Sequence, residues 1–127
     1  MTKVEAFEKA WLPAFKEDDF SLFDEIYHAD FKDIAPVTEI EVNLEGFKEV
    51  VPTIKDFIIF TPPETLVEND DFLKVHRYNR LKEAEVFSSV TIYLKYKDVK
   101  KVSQGYSFEE LGSDPSDGQN WNWEDYK

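Results

Sequence analysis

Residues 72–81 read FLKVHRYNRL, residues 85–96 read EVFSSVTIYLKY and residues 101–111 read KVSQGYSFEEL. All three runs are rich in β-branched and aromatic residues, and the charged breaks Lys82-Glu83-Ala84-Glu85 and Lys97-Asp98-Val99-Lys100 divide them. That is the pattern of a β-meander. Strands of about ten residues are long enough to curl into a half-barrel with a concave face able to hold a ligand. The middle run alternates plainly: Val86, Ser88, Val90, Ile92, Leu94 and Tyr96 form the better core face, and Phe87, Ser89, Thr91, Tyr93 and Lys95 oppose them. On the last run Val102, Gln104, Tyr106 and Phe108 form the apolar set. The first run is two-sided, with Phe72, His76, Tyr78 and Arg80 opposing Leu73, Val75, Arg77 and Leu81. It therefore predicts a strand covered on both faces, by helices on one and by a partner on the other.

Upstream, Thr2 and Glu5 have capping-box spacing. Val4, Phe7, Trp11, Ala14 and Phe15 then recur at helical spacing, and Pro13 predicts a kink or an early end between Lys9 and Pro13. A short second helix over Phe20, Phe23, Ile26 and Tyr27 follows, capped by Asp19 or Ser21. Phe31–Ile34 reads as a short strand, and Glu39–Val42 adds extended residues after Pro36. The clearest helix carries Phe47, Val50, Val51, Ile54, Phe57 and Ile58 on one stripe after Asn43 or Gly46. Thr61-Pro62-Pro63 ends it. Glu64–Glu68 is a further strand, and Asn69-Asp70-Asp71 turns into the meander. Beyond Leu111 the chain changes to GSDPSDGQNWNWEDYK, a polar tail whose Trp121, Trp123 and Tyr126 predict docking on a surface.

At 127 residues, 42% hydrophobic and 16% aromatic, the chain suffices for one domain with a substantial core. Its net charge of −12, with no basic run to offset it, argues against nucleic acid and membrane surfaces as partners. The absence of cysteine excludes disulfides, thiolate nucleophiles and zinc-thiolate sites. The opening MTKVEAFEKAW has no apolar stretch of signal-peptide length, and the longest aliphatic-aromatic run is Phe57-Ile58-Ile59-Phe60. A cytoplasmic protein is expected.

The stretches EKAWLPAFKEDDFSLFDEIYHADFKDIAP (residues 8–36), NLEGFKEVV (43–51) and YKDVKKVSQGYSFEEL (96–111) resemble the nuclear-transport-factor-2-like superfamily, in its SnoaL-like and ketosteroid-isomerase-like branch. The resemblance lies in the order of elements over roughly residues 3–111. It implies an α+β fold, a cone-shaped half-barrel of strongly bent antiparallel sheet wrapped around N-terminal helices. Residues 1–111 would form that domain and 112–127 an acidic, aromatic C-terminal tail. It also implies a pocket between the concave face and the helices, a homodimer formed through the outer sheet face, and no cofactor. Ketosteroid isomerases place a tyrosine in the first helix, a carboxylate base before a proline after the first strand, and a protonated acid late in the meander. This sequence presents Trp11, Ala35 and about Ile92 at those places, which argues against isomerase chemistry.

His76 is the leading catalytic candidate, as one of two histidines, on a strand at the expected pocket and titrating near neutrality. The alternative is a histidine bonded within the sheet or at a dimer interface. Tyr78 and Arg80 share its face and with it form a row suited to polarising a carbonyl or carboxylate, or else a solvated amphipathic row. Asp33 is a substitute base, and Asp30 with it flanks the mouth. Trp11, Tyr27, Gln104 and Tyr106 are candidate pocket walls. His28 is structural. No metal site is expected: the histidines are far apart, and Asp114-Pro115-Ser116-Asp117-Gly118 is only a fragment of a calcium loop. The expected function is binding of a small, mostly apolar organic molecule in an aromatic-walled pocket, with cofactor-free acid–base chemistry of an isomerase, cyclase, dehydratase or hydrolase type. The alternative is a non-catalytic dimeric assembly module using the outer sheet face and the tail.

Overall fold

The fold was examined in a computed structural model, which describes residues 2–34 and 40–126. The capping box forms as the sequence predicts. Thr2 Oγ1 accepts from the Glu5 amide, the Glu5 carboxylate accepts from the Thr2 amide, and helix α1 spans Lys3–Glu17. It runs through Pro13, because Phe7, Ala10, Trp11 and Ala14 are buried on both sides of the proline and hold the helix to the core. Asp18, in the left-handed region at φ 54°, stops it.

Helix α2 is only Phe23–Ile26 and has no side-chain cap; Asp19 instead accepts from the Ser21 amide. Strand β1 starts at once, spanning Tyr27–Ile34, four residues before the expected start at Phe31. Strand β2 (Glu41–Asn43) leads into α3 (Leu44–Lys55), where Asn43 accepts from the Gly46 amide at 2.9 Å. Gly46 is needed there, since a Cβ would meet Val42 Cγ1 at 2.8 Å. The expected helical stripe ends early, and Ile58–Phe60 becomes strand β3. Strands β4 (Glu64–Glu68), β5 (Phe72–Leu81), β6 (Phe87–Lys97) and β7 (Lys100–Leu111) follow.

The sheet order is β2-β1-β7-β6-β5-β3, with β4 also on β5. It curls strongly around the helices, giving the expected α+β half-barrel. Every pairing is antiparallel except β1 with β7, so the sheet is mixed. The expected Glu39–Val42 extension falls partly outside the described residues, as do Ala35 and Pro36.

Alternation decides which side chains enter the cone. On β5, Leu73, Val75, Arg77 and Asn79 are buried; their partners on β6 include Leu94, Ile92 and Val90, the predicted core face. The rings of Phe7, Trp11, Phe23, Tyr27, Phe31 and Phe47 complete this core. On β7 a register shift opposite Lys95 and Tyr96 moves Lys101 inward in place of Val102, leaving Lys101 1% exposed.

The outer face is covered in part by the chain's own tail. Trp123, in a 3-10 turn at Trp123–Tyr126, is 3% exposed against Ile59 and Phe87, and Trp121 stacks on Tyr78 with centroids 6.3 Å apart. Trp123 Nε1 donates to Asp114 Oδ1 at 3.0 Å, and Asp114 also accepts from the Ser116 amide, so the acidic turn anchors the ring.

Candidate functional site

Phe7, Trp11 and Phe15 stand at i, i+4 and i+8 on α1 and present one row of rings. Across from them run Ile58–Phe60, the Thr61-Pro62-Pro63 step and β5. Thr61 fixes that step to β5: its amide donates to the Tyr78 carbonyl at 3.0 Å, and its Oγ1 accepts from the Tyr78 amide at 2.8 Å. Between the two walls lies a cleft of about 610 Å³, lined by Phe7, Trp11, Phe15, Phe60 and Arg77. That volume suits a drug-sized organic molecule. Glu8, Asp56 and Asp125 alternate with Lys16 and Lys82 among the remaining lining residues.

Arg77 is the polar group in this apolar wall. It is 8% exposed, its Cζ lies 3.9 Å from the Phe60 ring centroid and 5.9 Å from that of Trp11, and its Nε has no hydrogen-bond partner among the described residues. Burial lowers its pKa to about 10, against the opposing influence of Tyr106 and Tyr27. It is therefore charged at neutral pH.

Behind Arg77 the inner face carries a chain of polar groups. Trp11 Nε1 donates to Tyr27 OH at 2.8 Å. Gln104 Nε2 donates to Tyr106 OH. Burial raises the Asp33 carboxyl to about 6, and the Tyr106 hydroxyl beside it offsets part of that rise. The Tyr106 phenol is held well above its ordinary value, first by burial and then by the Asp33 charge. Lys101 lies deeper, its Nζ 3.7 Å from the Phe7 ring centroid and 4.9 Å from that of Tyr27, and burial followed by the Arg77 charge lowers its pKa.

No protein-family model matches the chain, and no curated protein matches it by sequence. Solved structures do. A steroid delta-isomerase from Pseudomonas aeruginosa matches at 13% identity with TM-score 0.64, over 86% of this chain and 81% of the other. TerC, crystallised with polyporic acid, matches at 15% identity with TM-score 0.65, over 84% and 91%. A nuclear-transport-factor-2-like protein from Burkholderia xenovorans matches at 13% identity with TM-score 0.65, over 84% and 88%. The chain has the nuclear-transport-factor-2-like fold.

This cone divides the sequence candidates into two groups. Trp11, Tyr27, Asp33, Gln104 and Tyr106 face the interior of the cone, but of these only Trp11 lines the cleft. His76, Tyr78 and Arg80 do share one face of β5, but it is the outer one. His76 Nε2 lies 2.6 Å from Ser89 Oγ, its ring meets Tyr78 edge-on, and the cleft lies on the other side of the sheet. The expectation that His76 lines the pocket is thus corrected by strand parity: Leu73 and Val75 take the core side, and Arg77 goes with them. Asp30 points to solvent beside His28, 3.7 Å away, and does not reach the cleft. Of the three positions compared with the isomerases, Trp11 is bonded to Tyr27, Ile92 is buried core and Ala35 lies outside the described residues.

Arg77 is the cleft residue that the sequence reading missed, and Lys101 is an inward-facing residue, outside the cleft lining, that it also missed. Arg77 stood in the set with Leu73 and Val75, and matching that set to the clear β6 face would have brought it inside. Lys101 had no such signal, because a register shift reverses the alternation just before it. No helix of the described residues is long and apolar enough to cross a membrane.

Proposed function

We propose that this chain is a small-molecule-binding domain that holds a flat, mostly apolar organic molecule in the cleft between α1, β3 and the inner face of β5. The observation that carries this reading is the cleft itself: about 610 Å³, walled by the rings of Phe7, Trp11, Phe15 and Phe60, with one buried guanidinium in the wall. Flat rings contribute area and stacking, and a single polar group fixes orientation. Two proteins of the same fold point the same way, one a steroid delta-isomerase and one crystallised with polyporic acid.

Asp33, whose carboxyl is raised to about 6 beside Tyr106, lies on β1 outside the cleft lining, so this reading assigns it no proton transfer to the ligand. The homodimer belongs to the same proposal, formed through the part of the outer face that the tail leaves open, around Thr91, Tyr93 and Ser107. Light scattering at twice the monomer mass is the expected result. The assembly-module alternative draws less support, because Trp121 and Trp123 are already packed on the chain's own sheet.

A thermal-shift screen of flat aromatic metabolites tests the binding reading. A ligand at a hundred times its Kd contributes about 2.7 kcal/mol, or roughly 10 °C for a domain of this size. Phe15→Ala, which removes a wall ring at the edge of the core, should abolish most of that shift. If no compound stabilises the protein, or if the hits ignore Phe15→Ala, the cleft is not a ligand site.

A further inference from the structure

Among the described residues no carboxylate forms an ion pair with Arg77, and its Nε has no acceptor. Shortage of acid is not the cause, since the chain has 27 acids to 15 bases. The inner carboxyl, Asp33, is on β1, with β7 and β6 between it and β5, and it adjoins Tyr106. Lys101 is also buried without a hydrogen-bond partner among the described residues and supplies no acceptor for Arg77. Burying a charge without a partner is costly, and the rings of Phe60 and Trp11 offset only part of that cost. Its N–H edge remains open, and Arg77 lines the cleft.

We infer that the cleft selects an organic anion: a planar acid whose negative group pairs with the Arg77 guanidinium while its ring lies against Phe60, Trp11 and Phe15. A planar fork of N–H donors matches two coplanar oxygens, as in an aromatic carboxylate or an ionised hydroxyquinone. The charges elsewhere in the lining are balanced, Glu8, Asp56 and Asp125 against Lys16, Lys82 and Arg77, so discrimination comes from the buried position of Arg77 and not from a positive entrance. This inference rests on the reading of the cleft as a ligand site and adds the class of ligand.

The test compares benzoate, 2-naphthoate and 2-anthracenecarboxylate with their primary amides by calorimetry on the full chain. Matched shapes leave charge as the variable. The acids should bind about ten- to a hundredfold tighter than the amides, the range expected of a buried charge-assisted hydrogen bond. Arg77→Met should abolish that preference, leaving acid and amide of each ring equal in affinity, and Arg77→Lys, which keeps the charge but loses the fork, should restore part of it. Thermal melts confirm that each variant is folded, and the acid–amide comparison on the native chain stands without them. Equal binding of acid and amide, or a preference that survives Arg77→Met, overturns the inference and leaves the cleft a site for neutral rings. Failure of every acid and amide to bind overturns both.

Discussion

Asp33→Asn should make this protein more stable at pH 8 and leave it unchanged at pH 4. The carboxyl's pKa rises from 3.8 to about 6 on folding because the inner face of β1 removes it from water. Its folded value lies above its unfolded one, so the native state binds the proton more tightly. The stabilisation is complete below pH 3.8 and is lost as pH rises through about 6. A shift of that size corresponds to about 3 kcal/mol at most, and since the carboxyl is only partly enclosed, solvent screening reduces the figure to about 1–2 kcal/mol. Asparagine keeps the shape and a hydrogen-bonding edge toward Tyr106 but never ionises. Thermal melts of both proteins from pH 4 to 8 should show the curves coinciding at the acid end and separating by roughly 5 °C at the alkaline end. Taking the difference between the two proteins cancels the titration of the other acids. A separation that does not change with pH, or native protein more stable at pH 8, would refute the reasoning.

Three further outcomes follow from the packing. Trp123→Ala should cost about 3 kcal/mol, because a nearly buried ring leaves a cavity against Ile59 and Phe87; the melting temperature reports it. Lys101→Met should stabilise the fold by about 1–4 kcal/mol in denaturant titrations near pH 7, because a buried amine with no hydrogen-bond partner among the described residues is replaced by apolar volume. That gain should shrink toward pH 10, since the lowered Lys101 pKa makes the native protein stronger as the amine loses its proton. Val99→Gly should raise stability by about 1 kcal/mol: Val99 is 88% exposed, has φ 60° in the two-residue turn between β6 and β7, and is a β-branched residue in a region that favours glycine.

The fold was largely legible because its signals are local. Thr2 and Glu5 cap α1, Asn43 caps α3, and the alternation of β6 identifies the inner face from Val90 to Leu94 without reference to the rest of the chain. What failed had non-local causes. The Pro13 break is overridden by burial of Phe7, Trp11 and Ala14. β1 begins at Tyr27 because β7 and the core accept it there, and Phe57 and Ile58 leave the helix because Ile58 finds Leu81 as a strand partner.

The site was legible only in part for the same reason. Tyr27, Trp11, Gln104 and Tyr106 fall inside the cone by simple periodicity. The β5 row mixes charged and apolar residues on both faces, and only its pairing with β6 shows that Arg77 faces inward and His76 outward. The tail's rings signal docking, but nothing local in the tail says that the surface is Tyr78 and Phe87 of the same chain.

The central claim is that the cleft beside Arg77 is where this protein holds its ligand. A crystal soaked with 6-bromo-2-naphthoate tests it directly, because anomalous scattering locates the bromine independently of the rest of the density. One strong peak is expected between α1 and β3, with the ring against Trp11, Phe15 and Phe60 and the carboxylate on the Arg77 guanidinium. A peak on the outer face beside Tyr78 and Trp121, with the cleft left without ligand, would contradict it.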